Sequence, residues 1–211
     1  VTCPIYSERA VICLCANTAR NAPLNNGLKV LAVFGSPNSD GTTAKLLNSL
    51  LASLPENAEV DRYDCYKNSP APCNDCRYCH YADGCAYPDL DNFYQSLENS
   101  DVLVFATPVY NLSFPAPLKA LIDRMQRYWA ARFIRGVRKP IKLKKQAFLI
   151  TSCGSDSQKE GEMLEKQLKP VLTILNATLT ESIHCAGADY NRPIEDCIKA
   201  AAKAAERLSQ Q

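Results

Sequence analysis

The feature that most constrains the fold is a short, continuous apolar run at residues 102–106, flanked by helix-like segments. A strand with apolar residues on both faces must be covered on both, which is typical of parallel sheets between two layers of helices. Four further strand-like runs alternate with helical patterns and lie at 30–34, 60–66, 147–150 and 179–184. Five strands connected in this way predict an α/β domain with a parallel sheet and right-handed crossovers.

Size and charge narrow the class of protein. The chain has 211 residues, of which 46% are hydrophobic, and this suits one α/β domain with an appended segment. The formal net charge is only +2, which argues against nucleic acid or an anionic membrane as the main partner. No apolar stretch approaches the roughly 18 residues of a membrane span, so the sequence predicts no membrane segment.

Residues 1–27 differ in character from the rest of the chain. A short apolar run at 10–16 lacks the positively charged flank of a signal peptide, and the residues that follow it show no periodic apolar pattern. We therefore expect residues 1–27 to be an N-terminal extension outside the working domain, which would be residues 28–211. The alternative is an extension that takes part in oligomer contacts.

The loop after the first strand, residues 35–43, combines Gly, Ser, Asn and Thr residues ahead of a helical pattern. Its glycines permit a tight turn, and the first turn of the helix aims free N–H groups at the loop. Together these features predict an anion site suited to a phosphate monoester. The loop is neither a P-loop nor a dinucleotide GxGxxG motif, and the alternative is an ordinary β–α turn.

Two further loops, at 107–124 and 151–155, also follow buried strands. Ligands of such folds bind at the carboxyl ends of the strands, near a topological switch point, so both loops would face the first. The second loop begins Thr-Pro-Val-Tyr-Asn, which offers amides, a rigid proline and an aromatic ring to a flat conjugated ligand. The alternative places Tyr110 and Phe114 in the core.

These motifs, in this order, resemble those of the NAD(P)H-dependent FMN reductase and flavodoxin-like family. The matching runs are Gly35-Ser-Pro-x-x-x-Gly-x-Thr43, Thr107-Pro-Val-Tyr and Leu118-Lys-Ala-Leu-Ile-Asp-Arg124. The resemblance extends from residue 28 to the C-terminus. It implies a three-layer flavodoxin-like fold, with a five-stranded parallel sheet in the order 2-1-3-4-5 and helices on both faces, and it implies FMN as cofactor.

The same resemblance implies which residues would bind FMN. The phosphate would be held by Ser36, Asn38, Gly41, Thr42 and Thr43. The isoalloxazine would contact Pro108, Val109, Tyr110 and Asn111, with Thr151, Ser152 and Gly154 near its other side. Because the family commonly has Arg at the position of Asn38, we expect backbone amides and the helix dipole to contribute more here. No side chain is predicted to act as a catalytic acid or base.

Four of the eleven cysteines crowd into one short segment, at Cys73, Cys76, Cys79 and Cys85. This is not the distribution of a secreted disulfide framework, and in a reducing compartment it predicts metal or redox chemistry. Close spacing of this kind is used by [4Fe–4S] proteins, and iron–sulfur flavoproteins of the same fold carry a similar motif in the region of the cysteine-rich loop 72–88. Zinc and redox-active free thiols are the alternatives.

The resemblance implies a cytoplasmic FMN-dependent oxidoreductase that passes electrons from NAD(P)H to a small acceptor, such as a quinone, or to an iron–sulfur cluster. Relatives are commonly dimers or tetramers, which implies a homo-oligomer. Two alternatives stay open: an iron–sulfur flavoprotein that carries electrons without substrate turnover of its own, and a redox or metal sensor that works through its thiols.

Three local patterns complete the expectations. Pro170 is predicted to bend or break the helix around it, and Asn191 is predicted to cap the last helix. The basic stretch 127–145 is predicted to be a solvated loop, with attraction of NAD(P)H phosphates or of an acidic partner as the alternative. Within it, Tyr128 and Trp129 are candidates to cover the flavin.

Overall fold

The computed structural model describes residues 27–210. Five parallel strands form one sheet in the order β2-β1-β3-β4-β5, which confirms the predicted sheet. The strands are β1 (Lys29–Phe34), β2 (Glu59–Asp64), β3 (Val102–Pro108), β4 (Lys145–Ser152) and β5 (Ala177–Cys185). The helices are α1 (Thr42–Ala52), α2 (Tyr78–Tyr81), α3 (Asp91–Asn99), α4 (Ala116–Asp123), α5 (Gln126–Phe133), α6 (Lys159–Ile174) and α7 (Glu195–Glu206).

The sheet is buried on both faces because successive side chains of a strand point to opposite sides. On β3, Val102 and Val104 pack with residues of α1 and α7, whereas Leu103 and Phe105 pack with residues of α3, α4 and α6. Each of these four side chains is at most 4% exposed. The apolar run that stood out in the sequence is therefore the central strand of a three-layer fold.

Pro170 is predicted to bend or break its helix, and the expectation of a break is wrong, because α6 continues through Pro170 to Ile174. A proline leaves the carbonyl four residues earlier, here that of Lys166, without its helical partner. Both residues lie on the exposed side of the helix, so water can supply the missing hydrogen bond.

The predicted cap of the last helix is also wrong. Helix α7 begins at Glu195 with Ile194 before it, and Asn191 instead ends a short turn, Ala188–Tyr190, in a left-handed conformation with φ of 49°. Asparagine tolerates that conformation better than most residues, and its N–H donates to the carbonyl of Ala188 (3.4 Å).

The basic stretch is a loop only in part, because its first residues, up to Phe133, belong to α5. Tyr128 is 3% exposed and its hydroxyl donates to Glu98 Oε1 (2.8 Å), so this side chain belongs to the core and is not free to cover a ligand. Residues 27–210 contain no helix with the length and apolar character that a bilayer span requires. The extension predicted at 1–27 lies, apart from Gly27, outside the described residues.

Candidate functional site

The three loops singled out in the sequence lie side by side at the carboxyl edge of the sheet. The N–H of Gly35, after β1, donates to the carbonyl of Ala106 in β3 (2.8 Å), and the N–H of Val109 donates to the carbonyl of Ser152 at the end of β4 (2.8 Å). Parallel pairing sets Pro108 directly opposite Ser152. Because the chain reverses its winding between β1 and β3, the first two loops border the topological switch point where α/β folds bind ligands.

The first loop is held open towards solvent by its own hydrogen bonds. The N–H of Asn38 donates to Ser36 Oγ (3.2 Å), and the N–H of Asp40 donates to Asn38 Oδ1 (3.3 Å). Gly41 precedes α1 without a side chain capping the helix. The N–H groups of Gly41, Thr42 and Thr43 have no acceptor within residues 27–210. Free amides at the positive end of a helix dipole form an anion site.

A buried hydrogen bond connects the first loop to the third. The hydroxyls of Thr43 and Ser152 are 2.6 Å apart and 109 residues apart in the sequence. Thr43 is 3% exposed and Ser152 is 6% exposed, so neither hydroxyl has ready access to water as a substitute partner. This bond holds the start of α1 at a set distance from the end of β4.

The second loop turns sharply just beyond β3. Tyr110 and Ser113 exchange two backbone hydrogen bonds of 3.0 and 2.9 Å, and the residues between them, Asn111 and Leu112, have φ of 50° and 59°. Left-handed conformations cost a non-glycine residue roughly 1 kcal/mol each and concentrate at ligand sites. The turn leaves Tyr110 and Leu112 about half exposed, so it presents an aromatic ring and an aliphatic side chain at the sheet edge.

The third loop is covered by a fourth that the sequence analysis missed. The N–H groups of Ala188 and Asp189 donate to the carbonyls of Cys153 (3.1 Å) and Gly154 (3.2 Å). A Cβ on Gly154 would lie 2.1 Å from Asp189 Oδ2, so glycine is required at this position unless the carboxylate moves. The only sequence signal was the Ala-Gly-Ala-Asp run directly after the fifth strand.

Tyr66 is a second residue that the sequence analysis missed. It follows β2, its N–H donates to Asp64 Oδ1 (3.0 Å), and it is 37% exposed. Partial burial, together with the neighbouring Tyr110 phenol, raises the pKa of Tyr66. The site therefore has two exposed phenol rings near each other at the edge of the sheet, one from the loop after β2 and one from the loop after β3.

Behind the third loop, a chain of polar side chains fixes Thr151. Its hydroxyl is 2.8 Å from His184 Nδ1, and His184 Nε2 is 3.4 Å from Glu165 Oε2. Glu165 also pairs with Lys169 at 2.6 Å, and this hydrogen bond is the main cause that lowers the pKa of the Glu165 carboxyl. His184 thus has a partner on each ring nitrogen and orients Thr151 from behind.

The four clustered cysteines face a separate cavity of about 70 Å³, on the side of the sheet that carries α4 and α5. Cys73, Cys76, Cys79 and Cys85 all line it, together with Arg124 and Arg127. Burial raises the pKa of the Cys79 thiol, and the three other thiols add to the increase. The eight cysteines of residues 27–210 are free thiols. Within those residues no three Cys, His, Asp or Glu side chains are already placed as metal ligands.

This donor set is nevertheless the one that a thiolate-bound metal centre needs. Four sulfurs around a single cavity match the ligand number of [4Fe–4S] clusters and of structural zinc. The guanidinium groups of Arg124 and Arg127 line the same cavity and would partly balance the negative charge of a thiolate-bound centre. The residues present therefore fit such a group.

Several known proteins are similar to this chain. A family model described as NADPH-dependent FMN reductase matches residues 28–190. The iron–sulfur flavoprotein of Methanosarcina thermophila is 32% identical over 99 residues, which cover 46% of this chain and 52% of that protein. The FMN reductase (NADPH) of Pseudomonas aeruginosa is 26% identical over 191 residues, which cover 88% of this chain and 93% of that protein.

The chain spans about half the length of the iron–sulfur flavoproteins that it matches. Among solved structures, the NAD(P)H:quinone oxidoreductase from Methanothermobacter marburgensis superimposes with a TM-score of 0.65 at 21% identity. The match covers 86% of this chain and 94% of that one. At this identity the likeness shows a shared fold.

Proposed function

The chain belongs to the NADPH-dependent FMN reductase family, and on that premise we propose that it is an FMN-dependent oxidoreductase that takes electrons from NAD(P)H and passes them to a small acceptor. The observation that carries the proposal is the meeting of three loops at the switch point, with unpaired helix amides at one side and an exposed tyrosine at the other. That combination suits a ligand with an anionic end and a flat aromatic end.

The first loop fits the phosphate of FMN on its own geometry. The free N–H groups of Gly41, Thr42 and Thr43 and the buried hydroxyl of Ser36 would donate to the phosphate oxygens. The side chain of Asn38 would add a neutral amide where the family commonly has a guanidinium. Binding of the phosphate would therefore depend on hydrogen bonds and the dipole of α1 more than on a full positive charge.

The second and third loops fit the ring. Pro108, Val109, Tyr110 and Asn111 would contact the isoalloxazine, and Thr151, Ser152 and Gly154 would lie near its other side, as expected from the sequence. When bound, FMN supplies the redox chemistry by accepting a hydride and releasing electrons. The protein positions the ring and excludes water from part of it. We assign no catalytic acid or base.

A second candidate function is electron transfer between the flavin and a partner protein, without substrate turnover. The four-cysteine cavity favours it, since Cys73, Cys76, Cys79 and Cys85 would hold a [4Fe–4S] cluster, which supplies one-electron chemistry. The similarity to proteins that are described as iron–sulfur flavoproteins also supports it. A small acceptor such as a quinone and assembly into dimers or tetramers stay predictions.

Two measurements on anaerobically purified protein test the proposal. We expect a visible spectrum with flavin bands and one FMN per chain by extraction, and rapid bleaching of those bands when NADH or NADPH is mixed in a stopped-flow instrument. Flavin that neither nucleotide bleaches would favour the electron carrier. Protein that binds no flavin would refute both functions and would leave the thiol-based sensor.

Cysteine variants separate the two roles further. The variant Cys73→Ser removes one thiol from the cavity, whereas Cys197→Ser removes a thiol that does not line it. If the protein is an oxidoreductase with a small acceptor, both variants should keep NAD(P)H-dependent reduction of a soluble quinone. Loss of acid-labile sulfide and of electron transfer in the first variant alone would support the cluster-dependent carrier.

A further inference from the structure

We propose that Arg124 is the positioning residue of the four-cysteine site, because it closes the neck of loop 72–88 and so holds the thiols around one cavity. This inference rests on the proposed metal–thiolate role of the loop and requires no turnover. The neck consists of Ala71, Tyr87 and Asp89, which lie at the two ends of the loop.

One guanidinium spans this neck. Arg124 Nη1 donates to the carbonyl of Ala71 (2.9 Å), and Nη2 donates to the carbonyl of Tyr87 (2.9 Å). Both nitrogens also bond the carboxylate of Asp89, at 3.3 and 2.9 Å. Asp89 in turn accepts the N–H of Ala71 (2.9 Å). The two ends of the loop are thus joined directly by the Asp89 carboxylate and a second time through the Arg124 guanidinium.

The burial of Arg124 indicates that it has a specific role. The side chain is 2% exposed, and it lies at the end of α4 under the loop. The side chain of its partner Asp89 is 34% exposed, so the buried guanidinium depends on the two neck carbonyls as well as on this ion pair. These contacts restrain the two ends of the loop, which could otherwise move further apart.

Further contacts connect the neck to the segment that bears the thiols. The Tyr87 ring lies 5.2 Å from the Arg124 guanidinium, and its hydroxyl accepts a hydrogen bond from Asn74 Nδ2 (2.8 Å), beside Cys73. Arg124 itself lines the cavity with the four cysteines. Its Nε–H is buried and has no acceptor within the described residues, so one donor of the guanidinium is unused.

Arg127 provides a contrast on the same wall of the cavity. Its guanidinium lies over the rings of Tyr94 (4.3 Å) and Tyr128 (4.9 Å), and its nearest carboxylates are 3.8 to 4.0 Å away. It brings the same charge to the cavity as Arg124 but bonds neither arm of the neck. Comparing variants of the two residues therefore distinguishes the effect of closing the neck from the effect of a positive charge at the cavity.

Cobalt binding to the full-length, FMN-loaded, iron-free protein tests the inference. Co²⁺ bound by four thiolates shows sulfur-to-metal charge-transfer bands and the visible bands of a tetrahedral site. Residues that orient metal ligands typically contribute about 10- to 100-fold to affinity, and we expect a loss of that size in Arg124→Met and Asp89→Asn. Arg124→Lys should recover part of it, and Arg127→Met should bind Co²⁺ within about threefold of wild type.

Three results would overturn the inference: unchanged Co²⁺ affinity in Asp89→Asn, equal losses in Arg124→Met and Arg127→Met, or wild-type protein that binds Co²⁺ without thiolate bands. Should Arg124→Met fail to fold, Asp89→Asn decides, because it keeps the buried arginine. FMN affinity, measured on every variant, should stay at its wild-type value. Absence of FMN from the wild type would refute the proposed oxidoreductase. The cobalt affinities would still test the role of Arg124.

Discussion

Replacing Asn38 by arginine should tighten the binding of FMN, because it restores a positive charge beside the proposed phosphate site. In the present loop, Asn38 is exposed and contributes one neutral contact, the hydrogen bond from the Asp40 N–H to its Oδ1 (3.3 Å). The free amides at the start of α1 would hold the phosphate by dipoles alone. A guanidinium would add a charge-assisted hydrogen bond.

The expected gain is modest because the position is exposed. Two unit charges about 4 Å apart attract by about 1 kcal/mol in water and about 4 kcal/mol at an effective dielectric constant of 20. Ordering an arginine side chain costs up to about 2 kcal/mol, and the lost bond to Asp40 costs up to about 1 kcal/mol. Subtracting both costs in full from the larger attraction leaves a net gain of about 1 kcal/mol, which corresponds to a dissociation constant roughly 5 times lower.

Riboflavin, which lacks the phosphate, provides the matched control ligand. Titration monitored by flavin fluorescence should show tighter FMN binding by Asn38→Arg, weaker FMN binding by Asn38→Asp, and unchanged riboflavin binding by both. The advantage of Asn38→Arg should shrink in about 1 M salt, where the Debye length falls to about 3 Å. If FMN and riboflavin affinities change by the same factor, the phosphate does not lie at this loop.

Three further predictions test other parts of the structure. Thr43→Val and Ser152→Ala should each lower the free energy of unfolding by about 1–3 kcal/mol, because each leaves a buried hydroxyl unpaired. In urea unfolding the double variant should lose less than the sum, and strictly additive losses would contradict the 2.6 Å bond. Gly161→Ala should lower Tm, although alanine normally favours a helix, because its Cβ would lie 2.3 Å from His184 Nδ1; a higher Tm would show that α6 can shift freely. Burial lowers the pKa of Lys145 to about 8. Between about pH 8 and 10.5 the unfolded chain therefore binds a proton at this lysine that the folded chain does not bind. The free energy of unfolding consequently increases as the pH rises through this range. The unfolding free energy of wild type minus that of Lys145→Met should therefore increase by about 1–3 kcal/mol over this range, and a flat difference would show that the buried ammonium is fully stabilised by its carbonyl partners.

The strands and the site loops were predictable because their signals are local. A continuous apolar run such as that of β3 reports burial on both faces wherever it occurs. Parallel strands then place their carboxyl ends at one edge, so the loops at Gly35, Thr107 and Thr151 had to be neighbours once the sheet was assigned. The two errors arose because local patterns do not show the surroundings of a residue. Pro170 lies on the exposed side of its helix, and Asn191 ends a short turn instead of capping the last helix.

Contacts between distant residues were not predictable from patterns. Thr43 and Ser152 are 109 residues apart, and each taken alone is an ordinary hydroxyl residue in a loop. Asp189 could be assigned to the site only after its turn was seen to lie against Gly154. Arg124 was noticed only as the last residue of a motif, and its bonds to both arms of the cysteine-rich loop emerge from packing.

The sequence by itself determined the class of fold, the edge of the sheet at which a ligand is expected, and the clustering of four thiols in one short segment. These follow from periodicity, strand direction and spacing, which act over a few residues. Only the tertiary structure decided which hydroxyls share a hydrogen bond, which glycine lies under a carboxylate, and that one buried guanidinium joins the two ends of loop 72–88. Hydrogen bonds need atoms within about 3 Å, and that precision arises only when separate elements pack together.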